Sequence, residues 1–142
     1  MSDQDVSDLI AAQRKLQLGT INPDGTPHLV TMFYAPIDGK IGFWTYRTSQ
    51  KARNIDRDPR VTCLLELGED YFELRGAMVY GKAEILTDPN DIRYVGSEVV
   101  RRMMNLENEA DIAPFVEQTA AKRNAYLVEI TRTASWDHRK LT

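Results

Sequence analysis

The stretch Gly42–Arg60, GFWTYRTSQKARNIDRDPR, decides how this chain is interpreted. Its first half predicts a β-strand with an aromatic wall, and its second half predicts a short basic helix that ends at Pro59. Between them, Thr48 and Ser49 form a hydroxyl-rich loop. The free N–H groups and the dipole of a helix start can bind a phosphate. An aromatic strand beside such a site suits a ligand with a flat ring at one end and a phosphate at the other.

Two interpretations of the basic helix stay open on the residues alone. Lys51 and Arg53 at its start would strengthen the hold on an anion. Alternatively, Ser49 is only an N-cap, and the basic side chains form a solvated face beside Asp56 and Asp58.

Length and charge restrict the class of protein. The chain has 142 residues, with 18 basic and 21 acidic side chains and a formal net charge of −3. This length predicts a single domain, residues 1–142, with one core. The charge balance argues against a dedicated nucleic-acid or membrane-surface binder. The chain contains no apolar run long enough to span a bilayer.

The N-terminus and the cysteine content predict a cytoplasmic protein. The first residues, MSDQDVSD, are acidic and lack a basic and then apolar leader. The single cysteine, Cys63, excludes an intramolecular disulfide, and its place in an apolar run predicts a small buried core residue.

The order of the predicted elements favours an α+β, mainly β fold. Hydrophobic periodicity and turn signals predict helices at 5–15, 49–58, 88–105 and 110–122, and six strands at 16–22, 27–37, 41–46, 61–67, 71–86 and 125–133. Gly76 and Gly81 suggest a bulge or a close backbone approach in the long fifth strand. Short antiparallel strands at this spacing predict a small barrel or curled sheet with helices at its ends.

The chain offers no obvious reactive group of its own. The two histidines, His28 and His138, and one cysteine are too few for a zinc site, so no metal site is predicted. No phosphate loop, dinucleotide fingerprint or nucleophile elbow is present, and no catalytic residue can be assigned. If the protein is an enzyme, a cofactor carries the chemistry and the protein positions it.

At this point a family resemblance becomes visible along most of the chain. The chain resembles the flavin- and deazaflavin-binding split β-barrel family named after pyridoxamine 5′-phosphate oxidase. Within it, the chain looks like the actinobacterial branch that uses the deazaflavin coenzyme F-420. The matching segments, in family order, are DGTPH at 24–28, FWTY at 43–46, SQKARN at 49–54, RDPRV at 57–61, LRG at 74–76, GKAE at 81–84 and SWDHRKL at 135–141.

The resemblance implies a split β-barrel with flanking helices that forms a homodimer, with two cofactor sites at the subunit interface. The resemblance implies that Ser49, Gln50 and Lys51 bind the phosphate, and that Arg53 and Asn54 lie near it. The cofactor ring would lie against the backbone of one strand, against the aromatic strand and near one glycine of the long strand. These ring-side residues are Val30, Thr31, Met32, Phe33, Trp44, Thr45 and Gly76.

Four departures from the vitamin oxidases bear on the cofactor. Those enzymes place an arginine at Val30, a lysine at Ala35, an arginine at Gln50 and a ring-contacting glutamine at Gly76. The lost cations weaken the case for FMN and for pyridoxamine phosphate as substrate. They leave room for coenzyme F-420, whose polyglutamate tail needs an open groove.

The resulting expectation is an oxidoreductase in which reduced F-420 delivers hydride to an unsaturated organic substrate, such as an enone, a quinone-like compound or a tetrapyrrole. One alternative is an FMN-dependent oxidoreductase of the same fold. Another is a non-catalytic protein that binds a flavin, a deazaflavin or a haem-like ligand.

Overall fold

A curled antiparallel sheet dominates the computed structural model, which describes residues 1–141. Within those residues the sheet has seven strands: β1 Lys15–Ile21, β2 Pro27–Phe33, β3 Ala35–Ile37, β4 Lys40–Tyr46, β5 Arg60–Leu67, β6 Arg75–Leu86 and β7 Arg123–Asp137. Their order in space is β2-β1-β5-β6-β7-β4-β3, and every neighbouring pair is antiparallel. The predicted mainly β split-barrel fold is confirmed.

Four helices flank this sheet in the described part of the chain: α1 Asp3–Ala12, α2 Gln50–Arg57, α3 Pro89–Met104 and α4 Glu109–Ala120. Short 3₁₀ turns occupy Tyr71–Glu73 and His138–Leu141. The predicted start of α3 is confirmed, because the Asp88 carboxylate accepts from the Asn90 N–H and Pro89 is the first helical residue. Of the helices in residues 1–141, none has the length and apolarity required to cross a bilayer.

The core consists of two apolar clusters. The first fills the curl of the sheet and contains inward side chains of the central strands and of α1, including Leu18, Phe43, Cys63 and Val79. Burial raises the pKa of the Cys63 thiol to about 12, so this cysteine is an inert core residue, as predicted. The second cluster lies between β3, β4 and the helices α3 and α4.

The predicted strand at 27–37 is wrong in one respect, because it divides into β2 and β3 at Tyr34. The Tyr34 side chain is fully buried, and its hydroxyl donates to the Ile10 carbonyl at 2.5 Å. Its backbone N–H donates to Arg14 rather than to a strand partner. Tertiary contacts with α1 therefore interrupt the strand, and the sheet has seven strands where six were predicted.

The long strands also differ from their predicted limits. The strand predicted at 71–86 begins only at Arg75, since a 3₁₀ turn occupies Tyr71–Glu73. The last strand continues to Asp137, where it pairs with Arg75. The predicted bulge is present, with a register shift between Tyr80 and Gly81.

Candidate functional site

Helix α2 joins two parts of the sheet that are far apart in strand order. It begins directly after β4, and the Ser49 N–H donates to the Tyr46 carbonyl at 3.1 Å. The Ser49 hydroxyl accepts from the Ala52 N–H at 3.2 Å, so Ser49 is the N-cap. The first backbone donor within the helix is the N–H of Arg53, which bonds the Ser49 carbonyl. The N–H groups of Gln50 and Lys51 come before it and remain available for an anion.

A buried amide fixes the position of α2. Asn54 is fully buried, and its Nδ2 donates to Thr20 Oγ1 and to Asn22 Oδ1, both at 3.0 Å. The Gln50 amide donates to Asn54 Oδ1 at 2.8 Å, and Arg57 donates to the Ile21 carbonyl. Asn54 therefore anchors α2 to the end of β1, and its side chain is already engaged within the protein.

Lys51 is the most unusual charge of this region. It is half-buried, and it has neither a hydrogen bond nor a carboxylate partner among residues 1–141. Burial, followed by the positive charge of Arg123, lowers the pKa of its ammonium group. Arg53, two residues further along, is exposed and also lacks an ion pair in the described chain. An incoming anion would relieve the unpaired charge of Lys51.

The ring-side strand β2 is an edge strand that pairs only with β1. Val30 and Met32 are half-buried and pack against the core, whereas Thr31 and Phe33 are exposed on the outer face. An edge strand presents one row of backbone donors and acceptors that the sheet does not use.

Trp44 and Thr45 are both buried in the protomer. Trp44 belongs to the cluster under α3, where a Cβ placed on Gly96 would lie 2.5 Å from Cζ3 of the indole. The Arg123 guanidinium lies 4.6 Å from the indole centroid. Trp44 thus packs between a helix and a cation, and its contact with a cofactor ring stays a prediction.

Gly76 lies elsewhere on the sheet. It is buried on β6, paired with Trp136 on β7, and separated from β2 by two intervening strands. It is near the β6 end that adjoins Leu67, whereas α2 is anchored at the Ile21 end of β1. One protomer therefore does not bring Gly76 together with the start of α2.

Sequence reasoning missed Arg123. This residue is opposite Tyr46 in the β4–β7 ladder, and its guanidinium lies 4.2 Å from the centroid of the Tyr46 ring. Its backbone carbonyl accepts from Arg47 at 3.3 Å. No local motif marks Arg123, and only the pairing of two distant strands brings it to the end of β4.

A shallow depression of about 520 Å³ adjoins Gln50 and is lined also by Asn22, Pro23, Asp24 and His28. Nδ1 of His28 is buried there without a hydrogen-bond partner in the described residues. No group of three or more potential metal ligands occurs within residues 1–141. The groups of this region that can hold an anion are the free N–H groups at the start of α2 and the ammonium of Lys51, which does not line the depression.

Comparison with solved structures finds relatives that span nearly the whole chain. A conserved hypothetical protein from Mycobacterium tuberculosis is 44% identical, with a TM-score of 0.90, over 99% of this chain and 88% of that chain. An F-420 reductase is 25% identical, with a TM-score of 0.71, over 90% of this chain and 94% of its own.

A haem storage protein from Vibrio cholerae shares the fold alone, at 11% identity and a TM-score of 0.69, over 95% of this chain and 93% of that chain. No curated protein sequence matches the chain. The family model described as pyridoxamine 5′-phosphate oxidase matches residues 2–137, nearly the full length. This chain therefore belongs to the pyridoxamine 5′-phosphate oxidase family.

Proposed function

We propose that this protein is an oxidoreductase that uses reduced coenzyme F-420 to transfer hydride to an unsaturated organic substrate. The observation that carries the proposal is Lys51, a half-buried ammonium at the start of α2 without an acidic partner in residues 1–141. A partly desolvated cation without a partner lowers stability, so its presence is best explained by an anionic ligand. The 25% identity to an F-420 reductase supports F-420 as that ligand.

The residues present fit such a cofactor. The ammonium of Lys51 and the N–H groups of the first turn of α2 would bind its anionic chain. Unused backbone groups of Val30–Phe33 on the edge strand would bond the polar edge of its ring. When bound, the reduced deazaflavin supplies the hydride. The protein's residues hold the charged chain, orient the ring and restrict water.

FMN is the second candidate, because it presents a similar ring edge and a phosphate to the same groups. Its phosphate carries close to two negative charges at neutral pH, as phosphate monoesters do. Gln50 supplies no charge toward it where the vitamin oxidases have an arginine. F-420 joins its ring and tail through a phosphodiester with a single charge, so the helix start suits F-420 better.

We include a homodimer in the proposal. Leu29 and Phe33 on β2 are 71% and 40% exposed. The strand pairing places them on the outer face of the sheet, together with Leu64, Met78 and Tyr80. A second copy on this face would cover these apolar side chains. It could also bring its own Gly76 region to the α2 of the first copy.

The test is a parallel titration of the purified protein with F-420 and FMN, followed by assay of hydride transfer as loss of reduced-cofactor absorbance. Lys51→Ala is expected to weaken F-420 binding by about 1–3 kcal/mol, the scale of a lost charge-assisted hydrogen bond. Lys122→Ala, an exposed lysine before β7, is the control. Unchanged affinity in Lys51→Ala would reject the anion site.

The same experiment separates the alternatives. Tight binding of FMN without binding of F-420 would favour the FMN-dependent enzyme. Tight binding of a flavin, a deazaflavin or haem without turnover of any unsaturated acceptor would favour a carrier.

A further inference from the structure

The arginines of this protein fall into two groups. Four of the twelve arginines, Arg60, Arg93, Arg101 and Arg139, each contact a carboxylate, with partners Asp58, Glu117, Glu109 and Asp137 respectively. The other eight have no carboxylate partner among residues 1–141, and Arg123 is one of them. Arg123 differs from the rest in its position, because it is the cation whose charge helps to lower the pKa of Lys51.

Two aromatic rings and one hydroxyl fix the direction of the Arg123 side chain. Its guanidinium lies 4.2 Å from the centroid of Tyr46 and 4.6 Å from that of Trp44. Its Nε donates to Thr119 Oγ1 at 3.2 Å. These contacts leave the two terminal NH₂ groups without an acceptor in the described residues. Stacking on aromatic rings restricts the rotamers of an arginine and lowers the entropy lost on binding.

We propose that Arg123 is a second anion-binding residue, which together with Lys51 binds a phosphoryl group. A planar guanidinium offers two parallel N–H groups that match two oxygens of a phosphate. This guanidinium belongs to β7 and not to α2, so it approaches the anion from another direction than a cation at position 50 would. This inference rests on the proposed function for the identity of the cofactor, but not for the anion site itself.

Arg123 is expected to bind the phosphoryl group of the cofactor and not its ring. The affinity for F-420 would fall about tenfold in Arg123→Gln, the scale of one charge-assisted hydrogen bond. Binding of the phosphate-free deazaflavin, which keeps the ring and the ribityl chain, would not change. Arg123→Lys would lose less affinity, because it keeps the charge but not the planar pair of donors.

The experiment measures both dissociation constants by fluorescence titration for the wild type, Arg123→Gln, Arg123→Lys and the control Arg93→Gln. Arg93 is an exposed arginine paired with Glu117 at 2.9 Å. Its loss removes the same charge, but from a guanidinium that already has a carboxylate partner. The melting temperature of each variant without ligand shows whether it is folded. If Arg123→Gln is unfolded, Arg123→Lys takes its place as the test variant. A second arm measures the rise in melting temperature with inorganic pyrophosphate or with triglutamate.

A loss of F-420 affinity confined to the Arg123 variants, with pyrophosphate protection also reduced, supports the proposal. Three results would overturn it. The first is an equal loss of affinity for F-420 and for the phosphate-free deazaflavin in the Arg123 variants, and the second is the same loss of F-420 affinity in Arg93→Gln. The third is a rise in melting temperature with triglutamate but not with pyrophosphate. If no ring compound binds but pyrophosphate protection depends on Arg123, the proposed function fails while the anion site stands. If F-420 binds and every Arg123 variant matches the wild type, only the role of Arg123 fails.

Discussion

The indole of Trp136 lies against Gly76, its partner across the β6–β7 ladder. A Cβ placed on Gly76 would come within 2.9 Å of Cζ2 of the indole and 2.6 Å of the Leu65 carbonyl oxygen. The vitamin oxidases that this chain resembles carry a glutamine at this position. Here Trp136 occupies the space that a longer side chain at position 76 would need, so the indole replaces that side chain on the outer face of the sheet.

Gly76→Ala is therefore expected to destabilise the protein by about 1–3 kcal/mol, the usual cost of overpacking. The clash with a backbone oxygen cannot be relieved by a change of rotamer. Gly19→Ala is the matched control, because its new methyl group would meet the exposed Leu29 side chain at 3.2 Å, which can move. Urea unfolding of both variants measures the difference, and equal stabilities would contradict the packing argument.

Two buried tyrosines provide a matched pair. Tyr34 and Tyr126 are both 0% exposed, and burial raises the pKa of each hydroxyl to about 12. The Tyr34 hydroxyl donates to the Ile10 carbonyl, whereas the Tyr126 hydroxyl has no partner in hydrogen-bond geometry among the described residues, although Asn124 is near. Removal of the Tyr34 hydroxyl would leave the Ile10 carbonyl without its donor, whereas removal of the Tyr126 hydroxyl would leave no group of the described residues without a partner.

Tyr34→Phe is expected to lower the free energy of unfolding by about 1–2 kcal/mol, because it leaves a carbonyl without its donor. Tyr126→Phe removes a hydroxyl that has no partner and is expected to be neutral or slightly stabilising. Chemical denaturation of the two variants is the measurement. A large loss in Tyr126→Phe would show that its hydroxyl is satisfied, for instance by a buried water.

Features with local causes could be predicted from the sequence. The turn at 22–25 follows from proline, aspartate and glycine, and Gly25 does adopt a positive φ of 87°. Helix α2 ends where Pro59 predicts, and its N-cap is Ser49. These features depend on residues within a few positions of one another, so their residue types are sufficient evidence.

Features that depend on pairing between distant segments could not be predicted. Arg123 reaches the end of β4 only because β7 pairs with β4 in one register. Asn54 is fully buried because α2 packs on β1 through its amide, a contact between distant segments that the sequence does not show. The division of one predicted strand at Tyr34 likewise results from a contact with α1.

Lys51 gives a pH-dependent prediction. Its folded pKa lies below the ordinary 10.5, so the unfolded chain binds more protons in the alkaline range. Stability therefore rises with pH between the folded value and 10.5, and at neutral pH the charge is a net cost. Ligand-free Lys51→Gln should be more stable than the wild type at pH 7, by less than about 1 kcal/mol because the site is partly solvated.

The advantage of Lys51→Gln should shrink as the pH approaches 10.5, and it should reverse at pH 7 when pyrophosphate is added, because the anion stabilises the wild type through its lysine. Guanidinium chloride unfolding at the two pH values, with Lys122→Gln as an exposed control, measures both effects. A wild type that is already more stable than Lys51→Gln without ligand would mean that Lys51 has a favourable partner within the protein.

Leu29 provides the test of the proposed homodimer. It is the most exposed large apolar side chain of the described residues, at 71%, and its methyl groups lie beside the glycine at position 19 on the outer face of the sheet. Leu29→Glu should cost a protomer little, because the side chain is already in solvent. In a dimer the same carboxylate would be buried without a partner, which typically costs several kcal/mol.

Leu29→Glu is therefore expected to sediment as a monomer and to lose cofactor binding together with the dimer, if the second copy completes the site. Tyr94→Glu, which changes a 55% exposed aromatic on α3, should leave both properties unchanged. Analytical ultracentrifugation with parallel F-420 titration measures the two properties. A monomeric Leu29→Glu that binds F-420 as the wild type does would place the whole site within one protomer. A dimeric Leu29→Glu would move the interface away from β2.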